Sequence, residues 1–325
     1  MTIRVWAEYM TPGELLEKST MELLARYDVI PGIAFPPGSM EGGFEKVLGE
    51  YAGRGIQIAL WPLLEDKYGY WPNERNVNEF SDYVGRICDW ADSKGVSFSW
   101  LAIDMEPPWY QMEALKNGTL KEKAEGLKKV FDENRDRGRF YDTSAAYNRL
   151  VEDLHRRGIK VIAASADSVV ADLSNGGVSI QDTLETPVST VNFDAVSFMI
   201  YTSMITGYSK GLVTPRDARW HLYRTASAAK ETLWSRAGVS LGVTYTGKLG
   251  DEPYYGKPSE LLPDIRAAKA ALIDDIAIYN LEGIVRSERP EEWFETLLEA
   301  EAEKPARSMK VDIAHNAAKN FARWL

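Results

Sequence analysis

One cysteine and three histidines are all the thiol and imidazole chemistry that this 325-residue chain holds. With Cys88 alone no internal disulfide can form, and nothing points to an oxidising compartment. His155, His221 and His315 are far apart, and none belongs to an HxH or HExxH pattern, so neither a metal site nor a cofactor is expected. Basic residues are also short, with 38 Lys and Arg against 48 Asp and Glu for a net charge of −10. That balance disfavours nucleic-acid binding, which runs on neutralising phosphates. Long apolar runs are missing too: no stretch approaches the ~20 residues needed to cross a bilayer. The opening Met1-Thr-Ile-Arg-Val-Trp-Ala-Glu does not read as a signal peptide. No membrane partner is expected, and the expected location is the cytoplasm.

What is present suits a soluble globular protein, 45% hydrophobic and 26% charged. Neither an internal repeat nor a low-complexity linker breaks the chain, so residues 1–325 are expected to form a single domain. Aromatic residues stand out: ten Trp, sixteen Tyr and ten Phe, many of them beside loop signals. No feature specifies an oligomeric state.

Short apolar runs alternate with helical patterns along the chain. Strands are expected at Ile3–Tyr9, Val29–Phe35, Ile56–Pro62, Phe98–Glu106, Ile159–Ser165, Ala195–Tyr201, Ser240–Tyr245 and Ile276–Leu281. Four of them follow a glycine that would close a preceding helix: Gly55, Gly95, Gly158 and Gly238. Thr11-Pro12-Gly13-Glu14 is a capping box with proline at the first helical position, and Thr214-Pro215-Arg216-Asp217 repeats the pattern. Cys88 falls on the apolar face shared by Phe80, Tyr83, Val84, Ile87 and Ala91, and reads as a small buried hydrophobe. Eight strand–helix alternations predict an α/β fold, a (β/α)8 TIM barrel. An enlarged segment over 107–143 would follow the fourth strand, and a helix over 308–325 would pack on the barrel exterior.

In such barrels chemistry sits at the carboxyl ends of the strands. Those ends offer Glu8, Trp61, Asp104, Glu106, Asp167, Met199, Tyr201, Tyr245, Tyr279 and Glu282. On the fourth strand Ala102, Asp104 and Glu106 share one face. Two carboxylates that close resist joint ionisation, so one can hold a proton near neutrality, as a general acid for glycoside hydrolysis must. Trp61, Tyr68, Tyr70 and Trp71 cluster after strand three, Trp109 and Tyr110 after strand four, and Tyr254 and Tyr255 after strand seven. Flat rings on mouth loops suit the apolar faces of sugars.

Asp104-Met105-Glu106 ending a fourth strand resembles the glycoside hydrolases of family 18, the chitinases and related endo-N-acetylglucosaminidases. The Asp-x-x-Asp-x-Asp-x-Glu motif of that family falls on positions 99, 102, 104 and 106, with Ser99 and Ala102 replacing the first two Asp. Met199-Ile200-Tyr201 is similar to the family's Met-x-Tyr, although Thr202 stands where an Asp usually follows. Leu241-Gly242-Val243-Thr244-Tyr245 is loosely similar to its seventh strand, and Tyr279 stands nearest to the Trp of its eighth. The resemblance implies hydrolysis of an N-acetylhexosamine-containing glycan, or a small oligosaccharide of that kind, by substrate-assisted catalysis. Glu106 would protonate the leaving oxygen, Asp104 would orient the acetamido group and Tyr201 would bond its carbonyl.

Three other readings stand beside it. A second carboxylate, from Glu8, Asp167 or Glu282, would serve if the sugar does not assist. Glu282 reads equally as a loop carboxylate beside Gly283, and Asp167 as a helix N-cap. The two replaced Asp suggest a carbohydrate-binding barrel without catalysis. A lyase or isomerase using Glu8 and Glu106 is the third.

Overall fold

The computed structural model describes residues 1–108 and 134–324. Eight parallel strands close into a barrel in sequence order: β1 (Thr2–Ala7), β2 (Val29–Phe35), β3 (Ala59–Pro62), β4 (Trp100–Met105), β5 (Lys160–Ala166), β6 (Ala195–Met199), β7 (Ala237–Gly242) and β8 (Asp275–Tyr279). The ring is completed by β8 pairing with β1, Trp6 opposite Tyr279. The helices that position the site are α1 (Pro12–Leu15), α2 (Lys18–Arg26), α3 (Phe44–Gly53), α4 (Val77–Lys94) and α5 (Arg137–Arg156). They continue with α6 (Val169–Leu173), α7 (Ser179–Leu184), α8 (Thr202–Tyr208), α9 (Pro215–Leu233) and α10 (Pro258–Ala270). The last are α11 (Leu281–Val285), α12 (Glu291–Glu299) and α13 (Met309–Trp324). Among the described residues no helix is long and apolar enough to cross a membrane.

Alternation along each strand builds two cores. Outward residues such as Val5, Ile33, Leu101, Ile103, Phe198, Leu241 and Ile278 meet the helix layer, which contributes Val47, Phe80, Ile87 and Leu222. Cys88 is buried in this layer. Inward residues form a second cluster: Trp6, Ala34, Trp61, Ala102, Ile162, Ala164, Ala277 and Tyr279. The base is plugged by Arg4, whose guanidinium grips the Asp275 carboxylate through Nε at 2.9 Å and a terminal nitrogen at 2.9 Å. The same guanidinium lies 4.2 Å from the Trp100 ring centre.

Both capping boxes form as the sequence indicates, on α1 and α9. Gly55, Gly95 and Gly158 take the left-handed conformation before their strands. Gly238 does not. The chain leaves α9 at Trp234, which itself carries φ 56°, and Gly238 lies inside β7. A Cβ there would stand 3.0 Å from the Asp275 carbonyl, so the glycine admits the close approach of β7 to β8. The seventh strand therefore runs three residues earlier than expected, and Val243–Tyr245 belong to the loop beyond it. The third strand is shorter than expected, since Ile56–Ile58 are not in the ladder. Residues 109–133 of the enlarged segment lie outside the described part, and α5 begins within the remainder.

The C-terminal helix packs against the barrel exterior with Val311 buried, but several of its apolar residues face solvent. Ile313 is 69% exposed, and Ala314, Ala317 and Ala318 are exposed as well. Asp312 and Ser308 are buried instead. Asp312 accepts from Trp220 Nε1 at 2.9 Å and from Arg307 Nε at 2.6 Å. Polar contacts, with Val311 beside them, seat this helix.

Candidate active site

A cavity of about 240 Å³ opens at the carboxyl end of the barrel. Small inward residues make the room, since Ala102, Ala164 and Ala166 line it where larger chains would fill the interior. Gly32 permits the placement of Trp6: a Cβ on that glycine would meet the Trp6 ring at 2.4 Å. Trp6 Nε1 donates to Ser240 Oγ at 2.9 Å, and its ring meets Trp61 edge-on with centroids 5.4 Å apart. Trp61 and Trp71 complete an apolar wall.

Into this wall project the carboxylates. Asp104 and Glu106 both line the cavity, two residues apart on the inner face of β4 and its extension. Glu8 joins them from the end of β1. Asp104 is only 4% exposed, and its Oδ1 is buried without a hydrogen-bond partner. Burial raises the Asp104 carboxyl well above its ordinary value, with Glu106 and Glu8 adding like-charge repulsion. Burial first, then the charge of Glu8, pushes Glu106 up to about 8. Glu8 is also raised by burial, against the opposing pull of hydrogen bonds from Tyr279 and Tyr70. Tyr70 donates to Glu8 Oε1 at 2.9 Å, and the Tyr279 hydroxyl donates to Oε2. Glu106 thus keeps its proton around neutrality, which is the requirement for proton donation, and Asp104 and Glu8 are shifted in the same direction.

Donors stand opposite. Tyr201 lines the cavity, its ring 5.6 Å from that of Tyr279. Burial and the nearby Asp104, Glu106 and Glu8 keep its hydroxyl protonated far above the usual range. Trp61 Nε1 is buried with no partner, so its N–H is an uncommitted donor on a cavity-lining residue. Met199 and Met204 supply soft apolar surface.

The loop after β7 contributes three further lining residues, Lys248, Leu249 and Glu252. Glu252 Oε1 accepts from the Leu249 amide at 2.7 Å. Lys248 is the one basic residue among the described residues lining the cavity. Its ammonium stands 3.8 Å from the Tyr70 ring centre and 3.3 Å from Asp66, so this loop reaches across to the one after β3. Gly247 makes that path possible, because a Cβ there would stand 2.2 Å from the Tyr279 hydroxyl.

Of the residues singled out in the sequence, Glu8, Trp61, Trp71, Asp104, Glu106, Asp167, Met199, Tyr201 and Tyr279 line this one cavity. Tyr245 and Glu282 do not. Tyr245 stands 38% exposed against Tyr254, displaced by the earlier course of β7. Glu282 is buried on the far side of Tyr9, accepting from the Tyr9 amide at 2.6 Å. Trp109 and Tyr110 lie outside the described residues. Asp167 does not cap α6: Ser168 occupies that position, and Asp167 meets His221 instead. Of the other loop aromatics, Tyr255 is engaged by Thr202 and Asp264 behind the site, and Tyr68 and Tyr254 are exposed. Sequence reasoning missed Trp6, Met204, Lys248, Leu249 and Glu252. Trp6 was within reach, since it shares the inward face of β1 with Glu8. The others depend on loop paths that carry no periodic signal. Among the described residues, no group of three or more His, Cys, Asp or Glu has the geometry to hold a metal.

No protein-family model matches the chain, and no curated protein matches it. Solved structures do share its fold. The PgaB (BpsB) glycoside hydrolase domain of Bordetella bronchiseptica superposes with a TM-score of 0.55 at 11% identity, over 91% of this chain and 99% of that one. A GH18 chitinase from Pseudoalteromonas aurantia gives 0.54 at 9% identity, over 92% and 100%. Catalytic domain 2 of the Ostrinia furnacalis Group II chitinase gives 0.50 at 13%, over 94% and 99%. These likenesses show the fold, a closed eight-stranded α/β barrel shared with glycoside hydrolase domains.

Proposed function

We propose that the protein is a glycoside hydrolase acting on an N-acetylhexosamine-containing glycan, with Glu106 as its general acid. The observation that carries this reading is the Asp104–Glu106 pair, set in an aromatic-walled cavity with Glu106 raised to about 8. A carboxylic acid that keeps its proton at neutral pH can deliver it to a glycosidic oxygen as the bond breaks. Asp104, which lines the cavity, would accept from an acetamido N–H and orient that group so that its carbonyl attacks the anomeric carbon. Tyr201, held protonated, would donate to the same carbonyl oxygen as charge develops there. Trp61 and Trp71 would stack on or flank the sugar ring, and the Trp61 N–H would take a hydroxyl. No protein nucleophile is required on this route. Should the sugar lack the acetamido group, Glu8 is the second carboxylate in the same cavity.

The test is Glu106→Gln assayed on a panel of chromogenic N-acetylhexosaminides and related glycosides. The expected result is loss of turnover with oligosaccharide binding retained, and a wild-type rate that falls as pH rises through about 8, where Glu106 loses its proton. Sugar binding without turnover by the wild type would favour a non-catalytic carbohydrate-binding barrel. A variant as active as the wild type would remove Glu106 from the chemistry.

A further inference from the structure

Two of the three histidines, 94 positions apart, meet beside the cavity. His221 Nε2 lies 2.6 Å from Asp167 Oδ2, and His221 Nδ1 lies 2.7 Å from His315 Nε2. Asp167 lines the cavity just beyond β5. His221 stands on the second turn of α9, and His315 on the C-terminal helix α13. We propose that His221 and His315 form a positioning relay that orients the Asp167 carboxylate for substrate, making the C-terminal helix a working part of the site.

The chemistry of the three groups fixes much of the arrangement. A carboxylate only accepts, so the proton between Asp167 and His221 resides on Nε2. An imidazole bonded at both nitrogens cannot flip or rotate without losing a bond, and the carboxylate it holds is restrained in turn, as outer-sphere partners restrain working groups elsewhere. The remaining bond joins two rings and runs in either sense, according to whether Nδ1 of His221 or Nε2 of His315 carries the hydrogen. The two senses differ by protons and tautomers, not by heavy-atom positions. His315 is pushed down to about 4 by burial, then by the neighbouring His221 and Arg224, against the weaker pull of Asp167 and Asp312. It therefore stays neutral over the physiological range, and a neutral His221, with its one proton on Nε2, accepts at Nδ1 from the His315 Nε2–H.

The docking of α13 supports the same reading. This helix leaves its Ile313 in solvent and is seated by Asp312, which receives Trp220 and Arg224 from α9. Ser308 donates to Asp217 Oδ1 at 2.6 Å, and Asn175 Nδ2 donates to the Lys319 carbonyl at 3.2 Å. His315 is thus anchored from both sides, with its ring on His221. The helix buries Asp312 against Trp220 and Arg224 of α9, the helix that carries His221.

Asp167 as a substrate contact rests on the glycosidase reading, whereas the linkage of the three groups does not, and the experiment separates them. The chain's three histidines allow ring-nitrogen signals to be followed individually by NMR in wild type, Asp167→Asn, His221→Gln and His315→Gln, from acid to neutral pH. His221→Gln is expected to raise the pH at which His315 titrates, because a neighbour that lowers it is gone while burial, the larger cause, remains, and Asp167→Asn to shift the ring signals of both histidines. If His315 titrates unchanged in His221→Gln, the relay does not exist.

Binding of N-acetylglucosamine oligomers is then measured on the same proteins. Each single variant is expected to lose about tenfold in affinity, and Asp167→Asn/His221→Gln to be no worse than Asp167→Asn, because both act through one carboxylate. Full affinity in His221→Gln and His315→Gln would overturn the positioning role while leaving the glycosidase reading intact. If the wild type binds no such sugar, that reading falls, the substrate contact falls with it, and the titrations alone decide whether the relay stands.

Discussion

Replacing Glu106 by Gln removes an ionisation that the cavity disfavours, so the variant should be more stable than the wild type at alkaline pH. Glu106 is raised from 4.5 to about 8 in the folded protein, so the native state holds this proton more tightly than the unfolded chain does. Its contribution to stability is complete below about 4.5, declines as pH rises, and is lost once pH passes about 8. At about 1.4 kcal/mol per pH unit the loss has a ceiling of about 5 kcal/mol. Water entering the open cavity on ionisation reduces it, and about 2 kcal/mol is the working expectation. For a chain of this size that corresponds to about 3 °C in Tm. Thermal unfolding of both proteins across the pH range measures it. The two curves should converge in acid and separate in favour of Gln between about 4.5 and 8, then run parallel. A separation that is constant with pH, or that grows toward acid, would refute the claim that burial and Glu8 keep this carboxyl protonated.

Trp61→Phe keeps a ring in the wall but removes the unpartnered Nε1 donor. It should weaken oligosaccharide binding by about 1 kcal/mol, five- to tenfold by calorimetry, with little change in Tm. Arg4→Met leaves Asp275 buried without its partner at the barrel base and should cost about 3–5 kcal/mol in chemical denaturation. The further change Asp275→Leu should restore much of that loss, since an apolar pair of similar volume avoids the stranded charge.

Much of the fold was legible because periodicity is local. Alternating runs and left-handed glycines mark where strands begin, and the capping boxes at Thr11 and Thr214 mark where helices do. Where the reading slipped, the cause was context. Gly238 looks like a helix terminator in sequence, but its role is to let β7 approach Asp275. That slip carried Tyr245 to the mouth on paper and hid Lys248 and Glu252, which the true loop brings into the cavity.

The sequence by itself determined that eight strands alternate with helices and that Asp104 and Glu106 point the same way, because the pleat puts every second residue on one face. Only closure of the barrel decided what they face. It set Glu8 beside them, withdrew them from water, and so kept Glu106 protonated to about 8. Neither effect exists in a strand alone, since like-charge repulsion and desolvation depend on groups brought together from distant parts of the chain. The same holds for Asp167, His221 and His315, unconnected in sequence and joined only when α13 returns to the wall of the site.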